Sequence, residues 1–252
     1  MRSIWNGSIS FGLVSIPVKL YSAVSPQAIG FKLLCKKCMT PVHYERRCEG
    51  CKDPVKWEDT LKALDLGDGQ YLPFTQEELN AIRPEKTDRI EIVEFVGAAE
   101  IQPLYYNKFY YCAPPKSTDR AYFLFHRVLG DSKKVAIGRF VMREKEYVCS
   151  ISAFESGLLL STLNYAYEIR DINEIGALKE APKLKKEEIE LAKKLVDQLT
   201  QKELNLEEFE DTFAEKLKTM IQKKEKVYVP EAEEERPFDE ASLMEALQAS
   251  LN

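Results

Sequence analysis

Two Cys-x-x-Cys pairs, nine residues apart, constrain this chain more tightly than anything else in it. Cys35 and Cys38 form the first pair, Cys48 and Cys51 the second. Each pair lets two thiolates on one tight turn reach a single metal at about 2.3 Å, and two such turns complete a tetrahedral Cys₄ zinc shell. Gly50 suits the second turn, because such turns often need φ > 0. Lys36, Lys37, Arg46, Arg47 and Lys52 surround the pairs and favour thiolate over thiol. Four sulfur ligands leave no open position for water, so the zinc is expected to be structural. His43 lies in the spacer, but four Cys already fill the shell. Two disulfides, or four separate thiols, are the other possible arrangements. No apolar run of secretory length follows Met1-Arg2, so the expected compartment is the cytoplasm, where disulfides are rare. Cys112 and Cys149 sit in apolar runs and are expected to be buried small hydrophobes.

The rest of the body has the two-residue period of strands. Val14, Ile16, Val18 and Leu20 share one face, with Pro17 at an edge or bulge. Leu66–Leu72, with two glycines, predicts a hairpin tip. Thr75-Gln76-Glu77-Glu78 predicts a capped short helix ending before Pro84. Strands are expected over 89–96, 105–112, 134–142, 146–153 and 158–167, with a charged turn at Arg143–Glu146. Asp119 should cap a helix through Leu129, stopped by Gly130. Beyond Pro182 the period becomes helical. Ile189, Ala192, Val196 and Leu199 fall on one face of a helix over 185–200. Phe209, Phe213, Leu217 and Met220 fall on one face of a second helix over 206–223. The chain therefore divides into a β-rich body over 1–180, a helical arm over 181–226 and a short acidic tail over 227–252. No apolar stretch approaches the ~20 residues that a membrane-spanning helix needs.

The net charge of -5 conceals a segregated distribution. Met1–Trp57 carries nine Lys and Arg against three Asp and Glu, and Gln102–Lys145 repeats that ratio. Val227–Asn252 carries seven acids against Arg236 alone. Anionic partners respond to local field more than to the total. Lys36, Lys37, Arg46, Arg47, Lys133, Lys134, Arg139 and Arg143 lie in or beside these basic blocks as candidate contacts for an anionic partner; the other reading is ordinary solvated surface. The two histidines leave little for acid–base chemistry, and there is no P-loop, no HExxH and no nucleophile–His–acid set. No catalytic constellation stands out. Glu144 reads as a turn residue and His126 as an ordinary helix residue.

Four ordered stretches resemble the prokaryotic Ku proteins: Ser3–Ser22, Ile92–Val96 with Ile101–Tyr106, Lys134–Phe140, and Leu160–Ala166. The resemblance runs over about residues 1 to 225. It implies a mainly β fold with some α: a β-barrel core carrying an inserted bridge, here with the Cys₄ zinc knuckle at 35–51, and a C-terminal helical arm. It further implies a homodimeric ring, without catalytic activity, that holds double-stranded DNA ends in non-homologous end joining and recruits an ATP-dependent multifunctional DNA ligase. The arm, through Phe209, Phe213, Leu217 and Met220, would clasp the two protomers. The tail at 227–252 departs from the long basic tails of many bacterial relatives. A zinc-ribbon adaptor that binds protein instead of DNA is the alternative reading, and a zinc-dependent enzyme of nucleic acid is a third.

Overall fold

The computed structural model describes residues 1–26, 29–117, 119–179, 182 and 184–224. The acidic tail at 227–252 lies outside them. The chain divides into two compact units, Met1–Gln27 with Lys56–Thr200, and Ala28–Val55 with Gln201–Asn252.

The first unit is organised by a closed barrel of seven strands. The strands are β1 (Trp5–Phe11), β2 (Val14–Ser22), β5 (Arg89–Gly97), β6 (Tyr106–Ala113), β7 (Lys134–Met142), β8 (Lys145–Phe154) and β9 (Gly157–Leu163). Their order around the barrel is β1-β2-β6-β9-β8-β7-β5. Every neighbouring pair is antiparallel except β1 with β5, which run parallel through Ser8↔Arg89, Ile9↔Ile90 and Ser10↔Glu91. That parallel seam closes the barrel. A separate hairpin, β3 (Lys62–Gly67) and β4 (Gln70–Phe74), turns through Asp68 at φ +51 between two glycines of positive φ. The helix α1 (Gln76–Ala81) follows. Its capping box is the expected one, with the Glu78 N–H bonded to Thr75 Oγ1 and the Thr75 N–H bonded to Glu78 Oε2.

The strand periodicity becomes the barrel core. Ile16, Val18 and Leu20 of β2 are buried on one face, while Val14, expected with them, is exposed at the hairpin turn. The stretch from Ile4 to Tyr21 is two strands, because Gly12 adopts φ +56 and reverses the chain. Pro17 pairs with Ser8 of β1, before β2 begins to pair with β6 at Lys19, so its missing N–H interrupts no second ladder. Gly138 on β7 is required by contact: a Cβ there would lie 2.5 Å from the Glu91 carbonyl oxygen of β5. Trp5 packs edge-on against Phe140, and its Nε1–H donates to the Val141 carbonyl at 3.1 Å.

The helix α2 (Arg120–Ser132) packs Tyr122, Phe125 and Leu129 into the core. Asp119 caps it, accepting from the Tyr122 N–H. It runs past Gly130 and ends at Lys133, which takes the left-handed conformation with φ +53. The Tyr122 hydroxyl donates to the Cys112 carbonyl at 2.6 Å and accepts from the Leu158 N–H at 2.9 Å. It thereby satisfies the end of the β6–β9 ladder, where an unpaired buried group costs about 1–3 kcal/mol. Cys112 and Cys149 are buried, as expected. Burial pushes the Cys112 thiol up to about 12 and raises Cys149 also.

Two expected boundaries move. β9 stops at Leu163, not Tyr167, because Asn164 turns back onto β6: its N–H donates to the Tyr105 carbonyl and its Nδ2 to the Leu104 carbonyl. The helix expected over 206–223 begins only at Thr212. The Asp211 side chain accepts from the Phe213 and Ala214 N–H groups and starts α4 (Thr212–Lys223) afresh, so Phe209 precedes the helix. The helix α3 (Lys186–Leu199) forms as expected. No helix among the described residues is long and apolar enough to cross a membrane.

Candidate nucleic-acid interface and metal knuckle

The cysteine segment is a structural repeat. The Cys35 N–H donates to the Thr40 carbonyl and the Met39 N–H to the Cys35 carbonyl. Thirteen positions on, the Cys48 N–H donates to the Asp53 carbonyl and the Lys52 N–H to the Cys48 carbonyl. The outer rungs match as well, Val42 N–H to Leu33 and Val55 N–H to Arg46. Met39 and Lys52 share the left-handed conformation, at φ 59 and 58. The sequence signal for this is a repeat longer than Cys-x-x-Cys, namely Cys-x-x-Cys-x-x-Pro-Val ending at Pro41-Val42 and Pro54-Val55. The prolines pair in isolated bridges with Leu34 and Arg47.

Each turn brings its own two thiols together. The Thr40 hydroxyl, 2.9 Å from Cys38 Sγ, the Thr40 N–H and the Cys35 thiol together hold the Cys38 thiol below its ordinary value. The Cys51 N–H and thiol, with the Gly50 N–H, do the same for Cys48. Both turns therefore stabilise thiolate, the form that binds metal. Four thiolates are the donor set that a structural zinc ion takes. Among the described residues, however, no group of three or more metal-ligating side chains converges, so the structure forms the two halves of a site separately. His43 is exposed in the spacer.

Of the candidate phosphate-binding residues, Lys36, Lys37, Arg46 and Arg47 are exposed on these turns. Arg47 Nε lies 3.6 Å from Glu45 Oε2, an exposed pair of the kind worth at most about 1 kcal/mol. Lys133, Lys134, Arg139 and Arg143 are exposed on the barrel but do not form one cluster. Lys133 and Lys134 enter β7 and Arg143 leaves it, roughly 30 Å apart at about 3.3 Å per residue. Arg143 and Glu144 form the two-residue β7–β8 turn, both at positive φ, and Glu144 is ion-paired to Arg83 at 2.8 Å. Arg139 is the ladder partner of Glu91 and lines a cleft with Arg89, Glu85, Glu91 and Glu146. Three carboxylates against two guanidiniums make that cleft a poor anion site. The sequence does not mark Arg89 as a neighbour of Arg139, because nothing local pairs β5 with β7. His126 on α2 lies with Nε2 3.1 Å from the Glu155 carbonyl, a local structural bond.

The residues expected to form the dimer interface are solvent-facing. Phe209, Phe213 and Met220 are 76%, 68% and 53% exposed, and Leu217 is half-buried. Neither α3 nor α4 buries a residue.

A closed β-barrel with a Cys-rich excursion and exposed basic groups is matched by a known class. The family described as the Ku70/Ku80 beta-barrel domain matches residues 10–191. The chain is 36% identical to the non-homologous end joining protein Ku of Archaeoglobus fulgidus, over 100% of this chain and 98% of that protein. It is 30% identical to the protein of the same description from Bacillus subtilis, over 100% of this chain and 82% of that one. The Mycobacterium tuberculosis protein so described is 32% identical over 89% of this chain and 83% of its own length. The chain belongs to the Ku family.

Proposed function

We propose that the chain binds double-stranded DNA ends without regard to sequence, as a homodimeric ring in non-homologous end joining. It has no catalytic activity of its own, acts in the cytoplasm on the chromosome, and recruits an ATP-dependent multifunctional DNA ligase to the end. The observation that carries this reading is the family match over residues 10–191, with relatives along the whole chain that are named non-homologous end joining protein Ku. A protein that accepts any broken end must hold phosphates and not base edges, and exposed Lys and Arg on both the turns and the barrel suit that task. The uncovered apolar faces of α3 and α4 support a second copy as their partner. The deciding experiment offers linear duplex and covalently closed circular duplex of one sequence to the pure protein. Linear DNA is expected to be bound and the closed circle not. Equal binding to both, or binding to neither as for a zinc-ribbon adaptor, would refute end recognition.

Zinc enters this reading as a brace, held by Cys35, Cys38, Cys48 and Cys51. Residues 29–55 contain no buried side chain, so the segment has no core to hold the two turns together. Metal ligation supplies such segments with about 10–16 kcal/mol of apparent binding free energy at neutral pH. One zinc per chain is expected by metal analysis under reducing conditions. Cys48→Ser should lose the metal and leave the barrel's unfolding transition in place, since the thiols make no part of the barrel core. Substoichiometric zinc in the native protein, or global unfolding of the variant, would count against it.

A further inference from the structure

The turn after β9 carries an arrangement that phosphate recognition leaves unused. The rings of Tyr165 and Tyr167 lie nearly parallel in an offset stack, with centroids 5.4 Å apart and planes at 9°. Tyr167 is 82% exposed, so the outer face of the pair is open to solvent. The mount beneath is fixed. The Tyr165 N–H donates to Glu168 Oε2 at 2.7 Å, and Asn164 is tied to Leu104, Tyr105 and Asn107 of the β6 approach. The same rim of the barrel interleaves cations with aromatic rings. Arg139 acts electrostatically on the Tyr165 phenol, Arg143 acts on Tyr110, and Lys145 Nζ lies 5.4 Å from the Tyr147 ring centre.

We propose that Tyr165 and Tyr167 form a stacking platform for an unpaired base of a single-stranded overhang. The inference rests on the DNA-end reading above. Every base has a π-face, and stacking on an aromatic ring needs no sequence. Inside a duplex both faces of a base are covered by its neighbours, whereas an unpaired base at an end offers one. The Glu146 and Glu168 carboxylates border Tyr165 and repel phosphate there. This edge therefore selects the base face. The preformed parallel rings lower the ordering cost of that stacking.

The test compares a blunt linear duplex with the same duplex carrying a short thymine overhang, at one salt concentration, using the full chain. Wild type is expected to bind the overhang duplex about tenfold more tightly, the scale of one stacked base. Tyr167→Ala should abolish that preference and leave blunt-end affinity unchanged. Tyr167→Phe, which keeps the ring, should retain it. A bromouracil at the first unpaired position should photocrosslink to Tyr167. If wild type binds blunt and overhang duplex equally, the platform is wrong and end binding stands. If Tyr167→Ala weakens both substrates alike, the tyrosine is not a base platform. If wild type binds no linear duplex at all, the end-binding reading itself fails.

Discussion

Raising monovalent salt from about 50 to about 200 mM is expected to weaken binding to a linear duplex by about three to five orders of magnitude if six to ten phosphates are neutralised. Each Lys or Arg that replaces a counterion contributes about -0.9 to the slope of log affinity against log salt. Exchanging Arg46 and Arg47 for Glu should lower affinity for unrelated duplexes alike and flatten the slope by about one unit for each phosphate no longer held. The weak exposed pair between Arg47 and Glu45 does not prevent this, since a phosphate replaces it at a cost of at most about 1 kcal/mol. In the proposed zinc knuckle these arginines would have a second task, because four thiolates would outweigh the charge of one Zn²⁺. The two tasks separate experimentally: a variant that keeps its zinc but no longer responds to salt has ceased to hold phosphate. A flat salt response in wild type, or strong preference for one sequence, would mean the basic groups do not line a phosphate channel.

A chain ending at residue 181 is expected to lose dimerisation outright, giving monomers or aggregates by sedimentation. Such a chain lacks α3 and α4, whose apolar residues Leu195, Val196, Leu199 and Phe213 are all exposed among the described residues. Fully burying one such side chain contributes about 1.5–3 kcal/mol, so a handful across a two-fold interface suffices for a stable pair. The break before α4 changes what the stripe can do. Phe213, Leu217 and Met220 lie on one helix, while Phe209 sits ahead of its cap and must act separately. Phe213→Asp in the full chain should therefore dissociate the dimer more strongly than Phe209→Asp. A soluble dimer from the truncated chain would refute the proposal.

Much of the barrel is legible in the sequence because period-two alternation is a local property. Ile16, Val18 and Leu20 announce their buried face, and Thr75 to Glu78 announce a capped helix. What eludes the sequence depends on packing between distant segments. Nothing near Ser8 or Arg89 tells that β1 and β5 run side by side. Gly130 looks like a helix stop, yet the helix is carried past it to a left-handed Lys133. In sequence, Tyr165 and Tyr167 look like the end of a strand. Only the return of Asn164 onto β6 turns them into a stacked pair. The four cysteines are legible as two pairs, and the Pro-Val that follows each pair is the subtler sign that both turns are copies of one design. The basic residues are legible as composition but not as geometry, since β7 sets Lys134 and Arg143 at opposite ends of one strand.

The parallel seam between β1 and β5 has a consequence for how much the fold can carry. Between the end of β2 at Ser22 and the start of β5 at Arg89 the chain leaves the barrel, runs through the cysteine segment, the β3–β4 hairpin and α1, and returns. The entropy of closing such an excursion grows only with the logarithm of its length, so doubling it adds about 0.6 kcal/mol. A seam of buried Ile9 against Ile90 outweighs that increment. The barrel is thus nearly indifferent to the size of its cargo between these two strands, and a grafted or enlarged module there should leave its thermal unfolding almost where it was.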